Sequence, residues 1–384
     1  MILTTAACAA LAGWLAVLLL PWQPHRTRER LEAGGARPGL SDLTVLIPAR
    51  NEAAVIERTL TALTYQGPNL DVVVVDDEST DGTDALLREC SARAAAPSGS
   101  DDTFALTLRP LAGRPRRAGW SGKLWALEQG LAAVERPRVL LLDADIELAP
   151  GTIAALLDRA RETGADLTSI MATLRCVTFA ERLLAPPFVL FFKLLYPFAL
   201  ANSRRHRMAA AAGGCILVTT AALRELGGFA PLAGALIDDC TLAAALKKRG
   251  HGTWIGLSRS VRSLRAYTFA DFWRMVSRTA FTQLRYSTGL LLGTTGAMAV
   301  LFVAPVGALV AAPTDLAAAA GAAALAAMAL AYRHVVRFYG LPALWTLTLP
   351  VAAVLFLGMT WDSAIGYWRG VRARWKDRAY DVTE

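Results

Sequence analysis

Hydrophobic positions fall into three zones along this chain of 384 residues. Residues 2–20 (ILTTAACAALAGWLAVLLL) carry no charge. A run of about 20 apolar residues is what a helix needs to cross a bilayer. Between 41 and 260 short apolar runs alternate with helix-patterned stretches. Long apolar runs return at 287–312, at 315–332, which is Ala-rich, and at 340–360.

In the middle zone LTVLIP (43–48), DVVVV (71–75), FALTLR (104–109), VLLL (139–142), DLTSIMATL (166–174) and CILVTT (215–220) read as strands. A strand covered on both faces shows an unbroken apolar run. Helices fall between them. Ile56, Leu60 and Leu63 are spaced four and three apart, the period of one helix face. STDGTDALLREC (79–90) offers Ser, Asp and Thr as caps, KLWALEQGLAAVE (123–135) is helix-patterned, and DDCTLAAALKKRG (238–250) stops at Gly250. This alternation predicts an α/β domain with a mostly parallel sheet covered by helices. ARAAAPSGSDDT (92–103) reads as a mobile loop. Residues 183–201 (LLAPPFVLFFKLLYPFALA) are apolar but interrupted by Pro186, Pro187, Lys193 and Pro197. They read either as a core helix or as a segment lying in the membrane surface beside a lipid channel.

Charge sharpens the membrane reading. No basic residue precedes the first apolar run, whereas Arg26, Arg28 and Arg30 follow it. That predicts an uncleaved anchor over 1–21, N-terminus outside, with the next domain in the cytoplasm. The expected order is then a catalytic domain at 41–260, a basic interfacial segment at 261–286, two or three spans within 287–361 and a basic tail at 362–384. Three spans put the tail outside, against its charge; two put it inside but misplace Arg333 and Arg337. The net charge of +8 comes from basic residues gathered beside apolar zones, at 26–37, 204–207 and 259–285. An anionic leaflet attracts such residues, and nothing here calls for nucleic acid. Five scattered cysteines without a C-x-x-C pair and four dispersed histidines argue against zinc and suit a reduced compartment.

Candidate chemistry sits where strands end. PARNE (48–52) follows the first strand, Asp76-Asp77 the second and Asp143-x-Asp145 the VLLL strand, while Asp238-Asp239 opens a helix. Each could be a turn or cap. Four at one sheet edge would form an acidic cleft suited to Mg²⁺ or Mn²⁺, where α/β folds bind ligands. Opposite them stands a basic loop with Arg109, Arg114, Arg116, Arg117 and Lys123; Gly119, Gly122 and a helix start could cradle phosphate. A P-loop fails, because Arg117 stands where glycine is needed and Leu124 where Ser or Thr is needed. No G-x-G-x-x-G follows the first strand. Carboxylate pairs and cations on one sheet suit a nucleotide diphosphate sugar: cations neutralise a departing diphosphate, and a further carboxylate takes the proton of an incoming hydroxyl.

The ordered set PARNE, VDDESTDGT (75–83), GKLWAL (122–127), LDAD (142–145), GGF (227–229) and IDDC (237–240) resembles the inverting family 2 glycosyltransferases of GT-A fold, over about 43–257. At finer grain WSGKLWAL, LLAPPFVLFFKLLYPF, AAAAGGCILV, LIDDCTLA and RTAFTQLRYS resemble the membrane-bound hopene-associated glycosyltransferases of hopanoid clusters. The resemblance implies a nucleotide diphosphate sugar donor, a UDP-sugar first, a divalent cation, a lipid acceptor, and a multi-pass protein of a bacterial-type inner membrane. It implies that Asp77 holds the nucleobase, with Pro48, Arg50 and Glu52 flanking the nucleotide. Asp143 would sit near the ribose, Asp145 would bind the metal, and Lys123 would touch phosphate. Asp239 matches the catalytic base, and Asp238 would bind the acceptor or position the base. Gly213 and Gly214, with the turn Gly227, Gly228 and Phe229, would shape the acceptor side. The chain departs from the Q-x-x-R-W of processive synthases with Gln283-Leu284-Arg285-Tyr286. Arg285 would meet the diphosphate or snorkel at the interface. Two other functions fit the same residues: a polyprenyl-phosphate sugar synthase, and a non-catalytic membrane protein that binds a nucleotide sugar or acts as a scaffold. Oligomeric state is silent in the sequence.

Overall fold

The computed structural model describes residues 1–94, 104–312 and 314–370, plus the backbone of two short paired strands, Arg374–Trp375 and Arg378–Ala379. The loop read at 92–103 lies largely outside the described residues, whereas the tail read from 362 begins inside the last helix, which ends at Trp368, and only its part beyond 370 falls mostly outside them. In chain order the elements begin with α1 (Ile2–Leu19), β1 (Leu43–Ala49), α2 (Ile56–Leu63), β2 (Leu70–Asp76), α3 (Thr83–Ala94), β3 (Leu106–Ala112), α4 (Gly122–Leu131) and β4 (Arg138–Leu142). There follow β5 (Ile146–Leu148), α5 (Thr152–Thr163), β6 (Leu167–Thr173), α6 (Phe179–Leu195), α7 (Phe198–Ala201), β7 (Cys215–Thr219), α8 (Thr220–Leu226), α9 (Asp238–Lys248) and β8 (Thr253–Ser263). Helices α10 (Phe269–Ser277), α11 (Ala280–Gln283), α12 (Thr288–Met298), α13 (Ala304–Ala311), α14 (Asp315–Phe338) and α15 (Leu349–Trp368) complete the fold. Contacts divide the chain into two units: Glu29–Leu174 with Leu200–Arg265 and Arg374–Glu384, and Met1–Arg28 with Arg175–Ala199 and Ala266–Ala373.

The first unit is a sheet of eight strands in the order β3-β2-β1-β4-β7-β6-β8-β5. Its strands alternate faces as the period of two requires. Val45 and Ile47 of β1, Val72 and Val74 of β2, and Leu140 and Leu142 of β4 pack under α2, α3 and α5 through Ile56, Leu60, Leu87, Ile153 and Leu156. Leu46, Val73, Val75, Val139 and Leu141 pack the other way, under Leu124 and Leu127 of α4, Leu223 of α8 and Leu242 of α9. Gly130 lets α4 settle on the sheet, since a Cβ there would meet Leu46 Cδ1 at 2.2 Å.

The sheet is more mixed than the alternation predicts. Strands β3, β2, β1 and β4 are parallel, but β7 runs antiparallel to both β4 and β6. Leu142 lies opposite Cys215. The residues just before β7 are therefore set beside those just after β4, and this reversal builds the site. Strand β8, unread in the sequence, carries the sheet to Ser263. The segment read as basic and interfacial from 261 onward thus starts inside the sheet. Likewise Arg109, read as part of a phosphate loop, lies in β3. Its Nε and Nη2 donate to Asp71 Oδ1 and Oδ2 at 2.9 and 2.6 Å, an ion pair between neighbouring strands.

The second unit is helical. Among the described residues four stretches are long and apolar enough to cross a membrane: Ile2–Leu19, Thr288–Ala311, Asp315–Phe338 and Ala343–Trp368. Small residues set their spacing. Ala7 packs with Ala308, Ala317 and Ala320, and a Cβ on Gly321 would meet Pro305 O at 2.7 Å. Close approach through small residues is how helices associate in lipid. Pro305 has no N–H for the carbonyl of Leu301 four residues back. The helix loosens to a π-type turn over Ala299–Val303, and the Trp14 indole donates to Leu301 O at 3.0 Å instead. Of the interrupted stretch at 183–201, residues up to Leu195 run unbroken in α6 despite Pro186 and Pro187, which are buried within it, and the helix breaks at Tyr196–Pro197 before the short α7. A capping box of Thr178 and Glu181 starts it, and it packs on α14 and α15.

Candidate active site

The site gathers at the ends of β1, β2 and β4, before β7, and at the start of α9. Side chains there form two charge clusters, each centred on one cation.

Lys123 is the first centre. It sits in the first turn of α4, whose N-cap Ser121 accepts from Leu124 N. Its Nζ lies 2.7 Å from Asp143 Oδ1 and 3.7 Å from Asp238 Oδ2. Burial works against the ammonium, but the charges of Asp143, Asp238 and Asp239 override it and raise its pKa above the ordinary value. Asp239 Oδ2 accepts from Gly213 N at 2.8 Å, and Oδ1 from Cys240 N at 2.7 Å. Burial and then the neighbouring charge of Asp238 push the Asp239 carboxyl up to about 7. Asp143 is also raised, by burial and the charge of Asp145, with Lys123 pulling the other way. A Cβ at Gly213 would stand 3.1 Å from Lys123 Nζ and 3.5 Å from Asp239 Oδ2, so glycine lets the lysine and the acid approach. Pro48, Lys123, Asp143, Gly213, Asp238 and Asp239 line one cavity, closed on its apolar side by Leu124, Phe229 and Leu242.

Arg265 is the second centre, and the sequence reading missed it. Its Nε donates to Asp145 Oδ2 at 3.1 Å and its Nη2 to Glu52 Oε1 at 3.1 Å. Ser263 Oγ also donates to Asp145 Oδ2, at 3.2 Å. Recognising β8 from TWIGL (253–257) would have placed Arg265 at a strand end beside the other acids.

The remaining predicted residues form the neighbouring loop wall. Asn51 has φ +51° and its amide donates to Ser79 Oγ at 2.9 Å; Glu52 N donates to Thr83 Oγ1 at 2.9 Å. These bonds tie PARNE to the turn after β2. Arg50 Nη1 donates to the carbonyls of Asp77 and Glu78 and lies 3.9 Å from Asp77 Oδ2. Asp77 is fully buried. Gly214 accepts from Asp143 N at 3.0 Å through its carbonyl. Gly228, at φ +70°, abuts Glu128, whose Oε2 accepts from Phe229 N at 2.7 Å. Within the basic loop, Arg116 donates to Trp120 O at 2.6 Å and Arg117 lies over the Trp125 ring at 4.8 Å. Arg285 belongs to the helical unit, in left-handed backbone at φ +53° after α11. The described residues include no group of three or more His, Cys, Asp and Glu able to enclose a metal ion unaided.

Sheet order and edge acids define the GT-A, nucleotide-diphospho-sugar transferase fold. The profile of Glycosyl transferase family 2 matches residues 44–227, and that of Glycosyl transferase family group 2 matches residues 138–360, more than half of the chain. The chain belongs to glycosyl transferase family group 2. Its fold is similar to that of the mannosyltransferase PcManGT from Pyrobaculum calidifontis, solved in complex with GDP-Man and Mn²⁺. The TM-score is 0.52 at 19% identity, over 94% of this chain and 99% of that one. The 4,4'-diaponeurosporenoate glycosyltransferase of Staphylococcus haemolyticus is 28% identical over 106 residues, 28% of this chain and 24% of that protein. The chain spans about a quarter of the length of the curated relatives it matches.

Proposed function

We propose that this protein is a membrane-bound inverting glycosyltransferase that moves a sugar from a nucleotide diphosphate sugar, a UDP-sugar first, to a hopanoid-related lipid. The observation that carries the chemistry is Asp239, a carboxylate raised to about 7 in the cavity that also holds Lys123 and Asp143. A general base works best with a pKa near the working pH. Asp239 takes the proton of an acceptor hydroxyl. The oxygen attacks the anomeric carbon, the bond from that carbon to the diphosphate oxygen breaks, and configuration inverts. Asp238 keeps Asp239 basic by its charge, and Lys123 holds its positive charge beside the leaving group. Asp77, Arg50, Pro48 and Glu52 form the nucleotide wall; Gly213, Gly214 and Gly228 shape the acceptor side.

Asp143 and Asp145 are hard oxygen donors two residues apart, a donor set that fits Mg²⁺ or Mn²⁺. Such ions take one or two carboxylates and complete their shell with water and substrate phosphates, in keeping with the small number of protein ligands here. When bound at Asp145, the ion supplies charge that neutralises the departing diphosphate.

The lipid acceptor is supported by four apolar helices and by α6 packing among them. The catalytic domain then lies on the cytoplasmic side, and the N-terminus outside. The test is transfer from labelled UDP- and GDP-sugars into lipid of membranes containing the protein, with and without Mn²⁺ or Mg²⁺. A metal-dependent labelled lipid, lost in Asp239→Asn, is expected. Full activity of Asp239→Asn would indicate an acceptor that is already an anion, as in a polyprenyl-phosphate sugar synthase. No labelled lipid with any donor would leave a binding or scaffold role.

A further inference from the structure

Helix directions in the helical unit are fixed by a few contacts. Ala308, late in α13, packs with Ala317 and Ala320 at the start of α14 and with Ala7 early in α1. Leu301 meets Trp14, further along α1. The rings of His25, after α1, and His334, late in α14, lie 5.6 Å apart. Helices α1 and α14 therefore run parallel, and the chain from α12 to α13 runs against both. The ends of α1 and α14 and the start of α12 thus share one face of the unit. At 24 residues each, α14 and the α12–α13 stretch are about 36 Å long, enough to cross a bilayer.

The last apolar segment, Ala343–Trp368, starts and finishes at that same face. It opens with a 3₁₀ turn, Ala343–Thr348, shortly after the end of α14. Ala343 and Thr346 line a hollow there with Arg333 and Val336. The segment then continues as α15, which packs on α10, α11 and α12. Trp361 Nε1 donates to Thr295 Oγ1 at 3.0 Å. The last turn reaches the residues just before α12. The Phe281 ring lies 5.6 Å from Tyr367 and 5.7 Å from Trp368, and Tyr286 stacks on Tyr367 at 4.5 Å; Ser287 then caps α12. A helix that crossed the bilayer would finish on the face opposite its start.

Polarity agrees with this geometry. Asp362 is an exposed carboxylate within α15 and accepts from Trp273 Nε1 at 2.8 Å. A charge in the bilayer centre is costly, whereas at headgroup level it stays hydrated. Helix α10, which carries Trp273, buries Phe272 and Val276 and shows an exposed Asp271–Arg274 ion pair, as a helix lying in an interface does. Leu344, Leu347, Val351 and Val354 are exposed at spacings of three and four, so they share one face. Trp345 lies near one end of the segment and Trp361 and Trp368 near the other; such rings sit at headgroup level.

We infer that α1, α12–α13 and α14 cross the membrane and that Ala343–Trp368 does not. It lies in the leaflet at the face where α14 ends, with Leu344, Leu347, Val351 and Val354 toward the acyl chains, and the chain leaves it on that face at Arg369. Charge supports the assignment. Arg26, Arg28, Arg333, Arg337 and the five basic residues of 369–378 then fall on one side, the cytoplasmic one by the positive-inside rule. A further crossing would put the last five outside. The inference rests on the membrane reading above.

The experiment maps sidedness on the full chain in a bacterial host. A C-terminal fusion to green fluorescent protein should fluoresce and one to alkaline phosphatase should be inactive, since the first matures inside and the second outside. An active phosphatase with a dark fluorescent protein would overturn the inference. Single cysteines locate the turns, in a chain carrying Cys8→Ala, Cys90→Ala, Cys176→Ala, Cys215→Ala and Cys240→Ala and probed with a membrane-impermeant maleimide. Asp315→Cys, at the start of α14, should label in intact spheroplasts. Pro342→Cys and Arg369→Cys should label only after the membrane is opened. Labelling of Arg369→Cys but not Pro342→Cys in intact spheroplasts would overturn the inference alone. Labelling of Pro342→Cys with Asp315→Cys protected would overturn the orientation proposed above, and with it the cytoplasmic placing. Release of the whole protein by carbonate would sink the membrane reading itself.

Discussion

The α/β unit and the helical unit place clusters of cations in different surroundings. In the α/β unit Lys123 meets Asp143 and Asp238, Arg265 bridges Asp145 and Glu52, and Arg109 grips Asp71. In the helical unit Arg26, Arg333 and Arg337 line one groove together with His25, His334 and four leucines, while Arg175 and Arg274 pair with Glu181 and Asp271. In the first arrangement each cation already faces acids before any substrate arrives. A charged substrate must therefore exchange partners with it, which favours ligands that bring both charge and hydrogen-bond acceptors.

The largest expected effect tests the α/β site where chemistry depends on one proton. Asp239→Asn should lower transfer about a thousandfold, in the range of general-base removal, while nucleotide-sugar binding measured by calorimetry is retained. Loss of binding instead would reassign Asp239 to the donor side. The same residue sets a pH signature. Transfer should rise with pH through about 7 as Asp239 loses its proton, and Asp238→Asn should move that inflection downward. The folded Asp239 keeps its proton up to about 7, whereas an unfolded Asp releases it near about 4. Between those limits the native state binds more protons, so its contribution to stability falls as pH rises through the window. Thermal melting of Asp239→Asn should show a flatter fall.

Next in size is Lys123→Met, which leaves Asp143 and Asp238 facing each other without their cation. Breaking a fully buried pair costs about 3–5 kcal/mol. With side chains 18%, 33% and 25% exposed, about 2–3 kcal/mol is expected here after allowing for solvent. Asp143→Asn on that background should restore part of it, and an additive double mutant would show the pair to be uncoupled. Arg109→Met should cost about 2 kcal/mol by removing charged hydrogen bonds to Asp71, with transfer per folded molecule unchanged. A drop in transfer would return Arg109 to the phosphate loop.

The smallest effect lies in the helical unit. Trp14→Phe removes the donor to Leu301 O and should lower the melting temperature by an amount worth about 1 kcal/mol. Pro305→Ala returns a helical N–H to that carbonyl, so on this background Trp14→Phe should cost less. Equal costs in both backgrounds would sever the link between the proline and the indole.

Strands β1, β2, β4 and β7 were legible because each is covered on both faces and so reads as a mostly apolar run, while β3, at the sheet edge, and β6 showed through shorter apolar stretches. The spacing of Ile56, Leu60 and Leu63 and the stop at Gly250 were legible because helix period and caps are local. The acids at strand ends were visible because they interrupt those runs. Residues 2–20 and 287–312 stood out because crossing lipid demands length and apolarity, both properties of a short window.

What the sequence determined by itself was thus the class of each segment and the types of residue available for chemistry. Strand β8 escaped because its second half, SRSVRS, mixes charge into the alternation, and Arg265 escaped with it. The antiparallel turn of β7, the placing of Gly213 between Lys123 and Asp239, the meeting of Arg265 with Glu52 from 213 residues away, and the gathering of Arg26 with Arg333 and Arg337 were decided only by tertiary structure. The physical reason is range. Periodicity and capping act over a few residues, whereas charge pairing and cavity shape depend on which distant segments the packed core brings within a few ångströms.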